Sequence, residues 1–209
     1  MTGNASQMIR LMAAVSLLCG LLIVGTEINT SARIRHNQEA IMRESVAQLL
    51  PGIEKQIIYG IQPSGELVIL PNVETPGPRF FAGYDASGKF LDVVIEASER
   101  GYADVISAMY RYSPATRTIT GFQVIDMKET PGLGNKIGSD AGFLENFKQL
   151  DATHPIGTVK HGAKKNPWEI DAISGATISS RAVGRMLQKS VAEITPAVQR
   201  NLDRIQRGQ

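Results

Sequence analysis

The sequence predicts an α+β protein with a single N-terminal transmembrane helix, followed by a domain with a mainly antiparallel sheet and flanking helices. Three observations support this prediction. Residues 11–26 carry no charge, strand-like segments follow one another between residues 67 and 127, and an amphipathic helical pattern begins at Thr177. Strands that follow one another without long helices between them pair as hairpins, which is typical of α+β rather than α/β folds.

The apolar N-terminal segment spans a membrane only if it is extended at both ends. Leu11–Thr26 is about 24 Å long at 1.5 Å per residue, short of a ~30 Å hydrocarbon core. Met8–Ile28 is about 31 Å long, provided that Arg10 and Glu27 reach back to the interfaces. A cleaved signal peptide is the alternative, but we find no small-x-small cleavage site and expect an uncleaved anchor.

Cys19 and the flanking charges add little to this prediction. Leu18 precedes Cys19, whereas lipid attachment requires a small residue there, so Cys19 is expected to face lipid or pack on a helix. Arg10 lies before the apolar segment, and Arg33 and Arg35 lie after it. The positive charges therefore do not define an orientation.

Beyond the anchor, the pattern predicts one further helix and two hairpins. Ser31–Leu50 has helical spacing and stops at Pro51-Gly52, so it forms either a stalk or a helix packed on the domain. The hairpins are expected around the turns Asp85–Gly88 and Ser113–Arg117. The predicted strands are Leu67–Leu70, Arg79–Tyr84, Phe90–Glu96, Asp104–Tyr112, Thr118–Met127, Thr158–Lys160 and Trp168–Ile173, with a short helix at Gly142–Leu150.

The composition argues against several classes of function. The net charge is +2 and no basic stripe is interleaved with aromatic residues, so we expect no nucleic-acid binding. The three histidines are scattered and Cys19 is the only cysteine, which indicates no zinc, iron–sulfur or haem site. Redox chemistry would then require an organic cofactor. The basic run Lys160–Lys165 is expected to be a solvated loop, with contact to an anionic partner or cofactor as the alternative.

The segment Asp171–Ser180, with the sequence DAISGATISS, predicts a strand end, a small-residue turn and a helix start. The next residues have apolar side chains near helical spacing, so one face of this helix packs on a core. Free N–H groups and the helix dipole at such a start favour an anion, usually a phosphate. The alternative is an ordinary helix cap provided by the Thr177 hydroxyl.

A second segment, Glu129–Gly134 with the sequence ETPGLG, has two simpler interpretations. Pro131-Gly132 is a common turn pair. Gly132, Gly134 and Gly138 also approach a dinucleotide-binding fingerprint, but Pro131 interrupts the entry and no βαβ unit is expected around it.

Together the two segments resemble the motifs of the G subunit of the Rnf electron-transport complex. They are similar, more distantly, to those of the C subunit of the sodium-pumping NADH:quinone reductase. In that family a flavin transferase attaches FMN through a phosphoester to the threonine of D-x-x-[ST]-G-A-T. Asp171–Thr177 matches that signature, and Glu129–Gly134 matches the family's E-T-P-G-L-G loop. Two motifs in the right order are more specific than either alone.

The resemblance implies roles for individual residues of this chain. Thr177 would carry FMN covalently, and Asp171 would belong to the string that the transferase recognises. No catalytic or metal-binding residue is implied. The other residues expected to contact the cofactor are Ser174, Gly175, Ala176, Ile178, Glu129, Thr130, Gly132, Leu133 and Gly134.

The resemblance also implies an organisation and a function. Residues 1–29 would be the anchor, 30–52 a stalk or packing helix and 53–209 the FMN-binding domain. The protein would carry electrons within an ion-translocating ferredoxin:NAD oxidoreductase complex, in the inner membrane with its flavin domain on the periplasmic side. Its partners would be the other subunits and a flavin transferase. The alternatives are a non-redox anchored assembly protein and a flavin reductase with exchangeable FMN.

Overall fold

The structure is a computed structural model, and it describes residues 3–62, 64–71, 75 and 77–208. The chain divides into two compact units, one up to Met42 and one from Arg43. The first unit belongs to helix α1 (Gly3–Leu49), whose last turns belong to the second unit. Within the described residues, Ala5–Ser31 is the one helical stretch long and apolar enough to cross a membrane, with a mean hydropathy of 2.2.

Three hydroxyl groups near the C-terminal end of this apolar stretch are satisfied within the helix. Thr26 and Thr30 each donate to the carbonyl four residues earlier at 2.7 Å, and Ser31 donates to the Ile28 carbonyl at 3.2 Å. Such bonds remove the cost of placing a hydroxyl in a hydrocarbon environment. The predicted apolar span Met8–Ile28 lies inside the stretch.

The second unit is built on a seven-stranded sheet in which every neighbouring pair is antiparallel, in the order β2-β1-β3-β4-β5-β6-β7. A separate two-stranded parallel sheet pairs β8 with β9. This arrangement confirms the predicted α+β class. The strands are β1 (Lys55–Ile61), β2 (Leu67–Ile69), β3 (Arg79–Tyr84), β4 (Phe90–Arg100), β5 (Val105–Ser113), β6 (Thr118–Asp126), β7 (Leu150–Asp151), β8 (Gly157–Val159) and β9 (Glu169–Asp171).

Both predicted hairpins are confirmed. At the β3–β4 turn, the Asp85 carboxylate accepts hydrogen bonds from the N–H groups of Ser87 at 2.9 Å and Lys89 at 3.0 Å, which fixes the turn. β4 runs four residues beyond the predicted strand, because it pairs with β5 as far as Arg100 and Val105.

Several elements differ from the prediction. The helix expected over Gly142–Leu150 is only the five-residue α2 (Ala141–Glu145), capped by the Asp140 side chain. It ends early because Leu150 pairs with Ile119 of β6, which draws the chain into the sheet. β1 and β7 were not predicted: β1 lies between β2 and β3, and β7 lies at the edge of the sheet beside β6.

One face of the sheet is covered by α3 (Thr177–Arg200), followed by the short α4 (Leu202–Gln206). The apolar side of α3 is buried as its spacing predicts, including Val183 and Leu187. Hydrogen bonds also tie the helices to the sheet: the Tyr110 hydroxyl bonds Ser190 at 2.8 Å, and the Tyr84 hydroxyl donates to the Ile205 carbonyl.

The opposite face of the sheet is covered by the end of α1. Leu50, directly after the helix, packs against Gly83 of β3, and Gln123 donates to Gln48 at 2.8 Å. Of the two alternatives for Ser31–Leu50, residues from Arg43 onward therefore pack on the domain. The buried apolar residues on this side are Val46, Leu50, Phe81, Val94 and Met109.

Candidate functional site

The two sequence motifs meet at one cavity of about 320 Å³ in the second unit. The loop after β6 forms one wall and the first turn of α3 forms another, although 40 or more residues separate them in sequence. Tyr102, in the turn that follows β4, provides a third wall. The lining residues are Tyr102, Glu129, Thr130, Leu133, Gly134, Gly175, Ala176, Thr177, Ile178 and Ser179.

The first turn of α3 has the form of an anion site. Ala176 is the N-cap residue, and within the described residues no side chain caps this end of the helix. The first turn also contains no acidic residue, so the positive end of the helix dipole is not neutralised there. The interpretation of Thr177 as the helix cap is therefore wrong: Thr177 is the first helical residue, and it lines the cavity.

The turn that leads into α3 is held by Ser180. Its hydroxyl accepts the N–H of Ile173 at 3.1 Å and donates to the Ala176 carbonyl at 2.9 Å. Gly175 has a φ of +82°, a conformation that favours glycine. These features fix where Thr177 enters the cavity. The role of Ser180 was not apparent from the sequence, because its bond partner precedes it by seven residues across the turn.

The loop Glu129–Gly134 is a compact turn. Gly132 has a φ of +78° and its N–H donates to the Asn135 side chain at 2.8 Å, and Leu133 N–H donates to the Thr130 carbonyl at 3.2 Å. A 3₁₀ helix (Gly134–Gly138) follows. The dinucleotide-fingerprint interpretation is wrong, because the glycines follow an antiparallel strand and lead into this short 3₁₀ helix rather than a βαβ unit.

Glu129 is the polar centre of the cavity and is only 7% exposed. One carboxylate oxygen accepts the N–H of Tyr102 at 2.9 Å and that of Ala103 at 3.1 Å. The other accepts the Ser179 hydroxyl at 2.6 Å. The side chain expected to contact the cofactor thus bonds to the protein itself, and it joins all three walls.

Two glycines make room for this carboxylate. A Cβ at Gly101 would collide with one Glu129 oxygen, and a Cβ at Gly134 would collide with the other. A Cβ at Gly134 would also lie 2.7 Å from the Ser179 hydroxyl oxygen. The third wall, with Gly101 and Tyr102, and the contribution of Ser179 to the first turn of α3 were not recognised from the sequence.

The edge of the cavity is apolar and open to solvent. Leu133 is 51% exposed, Ile178 is 53% exposed and Tyr102 is 66% exposed. Exposed apolar side chains around a concave site are typical of ligand sites. FMN fits this arrangement, since the helix start suits its phosphate and the apolar edge suits its flat ring.

Not every predicted site residue lies in this cavity. Asp171 and Ser174 line a neighbouring cavity of about 300 Å³, together with Lys136, Asp140 and His161 among others. Gly132 lines neither cavity. The residues of the motif Asp171–Thr177, which are continuous in sequence, are therefore divided between two cavities.

Asp171 is engaged in a structural network. Its side chain accepts the Gly162 N–H at 2.7 Å, while its backbone N–H and carbonyl both bond the buried Asn146 side chain, at 3.0 and 3.2 Å. Lys164 donates to the same Asn146 oxygen at 3.0 Å. Asp171 thereby holds the loop Lys160–Lys165, whose side chains are exposed.

Charged groups also lie beside the cavity, on the exposed side of α3. A hydrogen bond from Lys189, together with the charges of Lys189 and Arg185, lowers the pKa of Glu99 at the end of β4. Arg185 also donates to the Arg100 carbonyl at 3.2 Å. Among the residues that the structure describes, no group of three His, Cys, Asp or Glu side chains is placed to hold a metal ion.

Comparisons with known proteins agree with this site. The family model of the FMN-binding domain matches residues 101–192, which include both motifs. The G subunit of the ion-translocating oxidoreductase complex of Methanosarcina acetivorans is 31% identical over 183 residues, 86% of this chain and 89% of that protein. The G subunit of the proton-translocating ferredoxin:NAD⁺ oxidoreductase complex of Clostridium ljungdahlii is 33% identical over 119 residues, 57% of this chain and 62% of that protein.

A solved structure supports the fold. The C subunit of the Na⁺-translocating NADH-quinone reductase from Parabacteroides distasonis matches with a TM-score of 0.60 and 20% identity. The match covers 83% of this chain and 95% of that one. At this level of identity the likeness concerns the fold alone, an antiparallel sheet with flanking helices.

Proposed function

Since this chain belongs to the family of G subunits of ion-translocating oxidoreductase complexes and binds FMN, we propose that it is a membrane-anchored electron carrier of an Rnf-type ferredoxin:NAD oxidoreductase complex. FMN is joined to Thr177 by a phosphoester bond. When bound, FMN supplies the one- and two-electron chemistry, and the protein supplies position and electrostatics.

The observation that carries this proposal is the meeting of the two motifs at one cavity. Thr177 is the first residue of α3 and lines the cavity beside Gly175 and Gly134. The uncapped helix start provides N–H groups for a phosphate attached to the Thr177 oxygen. Leu133 and Ile178 provide apolar surface for the ring. A fixed tether at this point holds the flavin at one distance from its redox partners.

The organisation of the chain follows from the same proposal. Residues 1–29 anchor the protein in the inner membrane, residues 30–52 form the connecting and packing helix, and residues 53–209 form the FMN-binding domain on the periplasmic side. The apolar stretch Ala5–Ser31 and the membrane-complex relatives support an anchor. The partners are the other subunits of the complex, which donate and accept electrons, and a flavin transferase that installs FMN.

The test is covalent attachment after co-expression with a flavin transferase. The denatured protein is expected to fluoresce on a gel and to gain the mass of one FMN less water. Thr177→Ala is expected to lose both signals and still fold, because Thr177 makes no capping bond. Thr130→Ala is the matched control, since it removes another threonine hydroxyl from the same cavity and should keep the attached FMN.

Other outcomes separate the alternatives. Attached FMN in Thr177→Ala would contradict the assignment of this residue. Flavin that leaves on denaturation, with direct turnover of NADH, would support a flavin reductase with exchangeable FMN. A colourless wild-type protein made with the transferase would favour a non-redox assembly protein.

A further inference from the structure

We propose that Glu129 positions the three walls of the flavin cavity and that its negative charge lowers the reduction potential of the bound FMN. The inference rests on the proposed function, because it assumes that FMN occupies this cavity. It assigns Glu129 a role other than direct ligand. The carboxylate oxygens already serve groups of the protein.

The hydrogen-bond partners of Glu129 are those that suit a carboxylate. Its two oxygens accept from two backbone N–H groups and from the Ser179 hydroxyl, at distances between 2.6 and 3.1 Å. An ionised carboxylate is an acceptor only, and such a set of donors suits it. Among the described residues, no Lys or Arg nitrogen forms an ion pair with Glu129 within 4.0 Å. The charge is therefore stabilised by dipoles rather than by a neighbouring cation.

The same bonds join parts of the chain that are far apart in sequence. Tyr102 and Ala103 precede Glu129 by 27 and 26 residues, and Ser179 follows it by 50. Within the described chain, these bonds connect the end of β4, the loop Glu129–Gly134 and the first turn of α3. Loss of the carboxylate would free all three walls at once.

The charge has a predictable effect on the flavin. Reduction adds electrons to the ring, and a fixed negative charge on the buried Glu129 side chain opposes that addition more strongly than an exposed charge would. In the test the electrons come from dithionite, and protons come from the buffer. Removal of the charge should shift the potential in the positive direction.

Glu129→Gln separates charge from position. A glutamine oxygen can still accept the N–H groups of Tyr102 and Ala103, and its amide can donate to Ser179. Glu129→Ala removes both the charge and the bonds. Glu145→Gln is the matched control for charge, because Glu145 is exposed, pairs with Lys148 and does not line the cavity.

Two measurements on the full chain in detergent micelles test the two halves of the inference. A spectroelectrochemical titration of the flavinylated protein gives the reduction potential. Hydrogen exchange of residues 101–103, in protein made without the transferase, reports whether the wall is held. We expect Glu129→Gln to raise the reduction potential of FMN and to keep the slow hydrogen exchange of residues 101–103. Glu129→Ala should speed that exchange. Glu145→Gln should match the wild type in both the potential and the exchange.

An unchanged potential in flavinylated Glu129→Gln would overturn the role of the charge. Unchanged exchange in Glu129→Ala would overturn the positioning role. If Glu129→Ala does not fold, Ser179→Ala removes one of the three bonds and keeps the charge. Loss of this anchor of the carboxylate should speed exchange at Tyr102 and Ala103, whose N–H groups bond its other oxygen, and unchanged exchange there would overturn positioning. Failure of the proposed function is distinguishable, because the wild type itself would then gain no FMN mass.

Discussion

Gly134 offers a direct test of the packing around the buried carboxylate. Gly134→Ala places a Cβ inside contact distance of a Glu129 oxygen, 2.7 Å from the Ser179 hydroxyl oxygen and 3.0 Å from the Glu129 Cβ. Relief of this clash requires a shift of either side chain. The hydrogen bond between Ser179 and Glu129 is the contact that such a shift would break.

The expected cost combines three effects. Overpacking a filled site costs about 1–3 kcal/mol. A hydrogen bond to a charged group contributes about 1.5–3 kcal/mol. Alanine allows the unfolded chain fewer conformations than glycine does, and this stabilises the folded state by about 0.4–1 kcal/mol. We expect a net loss of about 1.5–5.5 kcal/mol in the free energy of unfolding, and a melting temperature lower by roughly 3 °C or more for a domain of this size.

Trp168 provides the assay. It is the only tryptophan and stacks on His154 with ring centroids 4.2 Å apart, so its fluorescence reports unfolding of the domain in urea. Gly157→Ala is the matched control, because a Cβ there meets no atom within 4 Å and the change should only add the stabilisation of about 0.4–1 kcal/mol that comes from the unfolded chain. If Gly134→Ala proved as stable as Gly157→Ala, the reasoning about this site would be refuted.

Two further predictions concern the supporting structure. Gly184→Ala should destabilise the protein by about 1–2 kcal/mol, since its Cβ would collide with the Thr158 hydroxyl despite a gain of ~1 kcal/mol in helix propensity. In a protein that already carries Thr158→Ala, Gly184→Ala should be neutral or stabilising. If the effects of the two substitutions on the free energy of unfolding in urea were simply additive, the proposed clash with the Thr158 hydroxyl would be contradicted. Asp151→Asn should lower stability near neutral pH, because hydrogen bonds from Thr153, with a smaller contribution from His154, lower the pKa of Asp151 in the folded state. The stabilising effect of this carboxylate is present above the unfolded pKa of about 3.9 and is lost as pH falls through the lower folded pKa. A difference in stability between Asp151→Asn and the wild type that stayed constant down to acid pH would contradict this prediction.

The parts of the fold that depend on local sequence could be predicted. The two hairpins have turn residues at their ends, and α3 has a clear apolar spacing. β1 could not be placed in the same way, because its position follows from pairing Ile57 with Ala82, some 25 residues away. The short α2 is also a tertiary effect, since the pairing of Leu150 with Ile119 ends it.

The candidate site shows the same limit. The two motifs identified the loop Glu129–Gly134 and the start of α3, and both line the cavity. The third wall was missed because Tyr102 reaches the site through a backbone N–H, which carries no signature in the side-chain sequence. The division of the motif Asp171–Thr177 between two cavities was also not predictable, because it depends on how the Asn146 side chain holds the backbone of Asp171.

The way the sheet is covered has a consequence for biosynthesis. Most neighbouring strands are also consecutive in the chain, so the sheet can assemble hairpin by hairpin as the residues emerge from the ribosome. The face that includes Tyr110 stays uncovered until α3 is delivered. The first turn of α3 is also one wall of the cavity, so Thr177 reaches its place there only after all the strands have been made. The cavity is therefore complete only at a late stage in the synthesis of the chain.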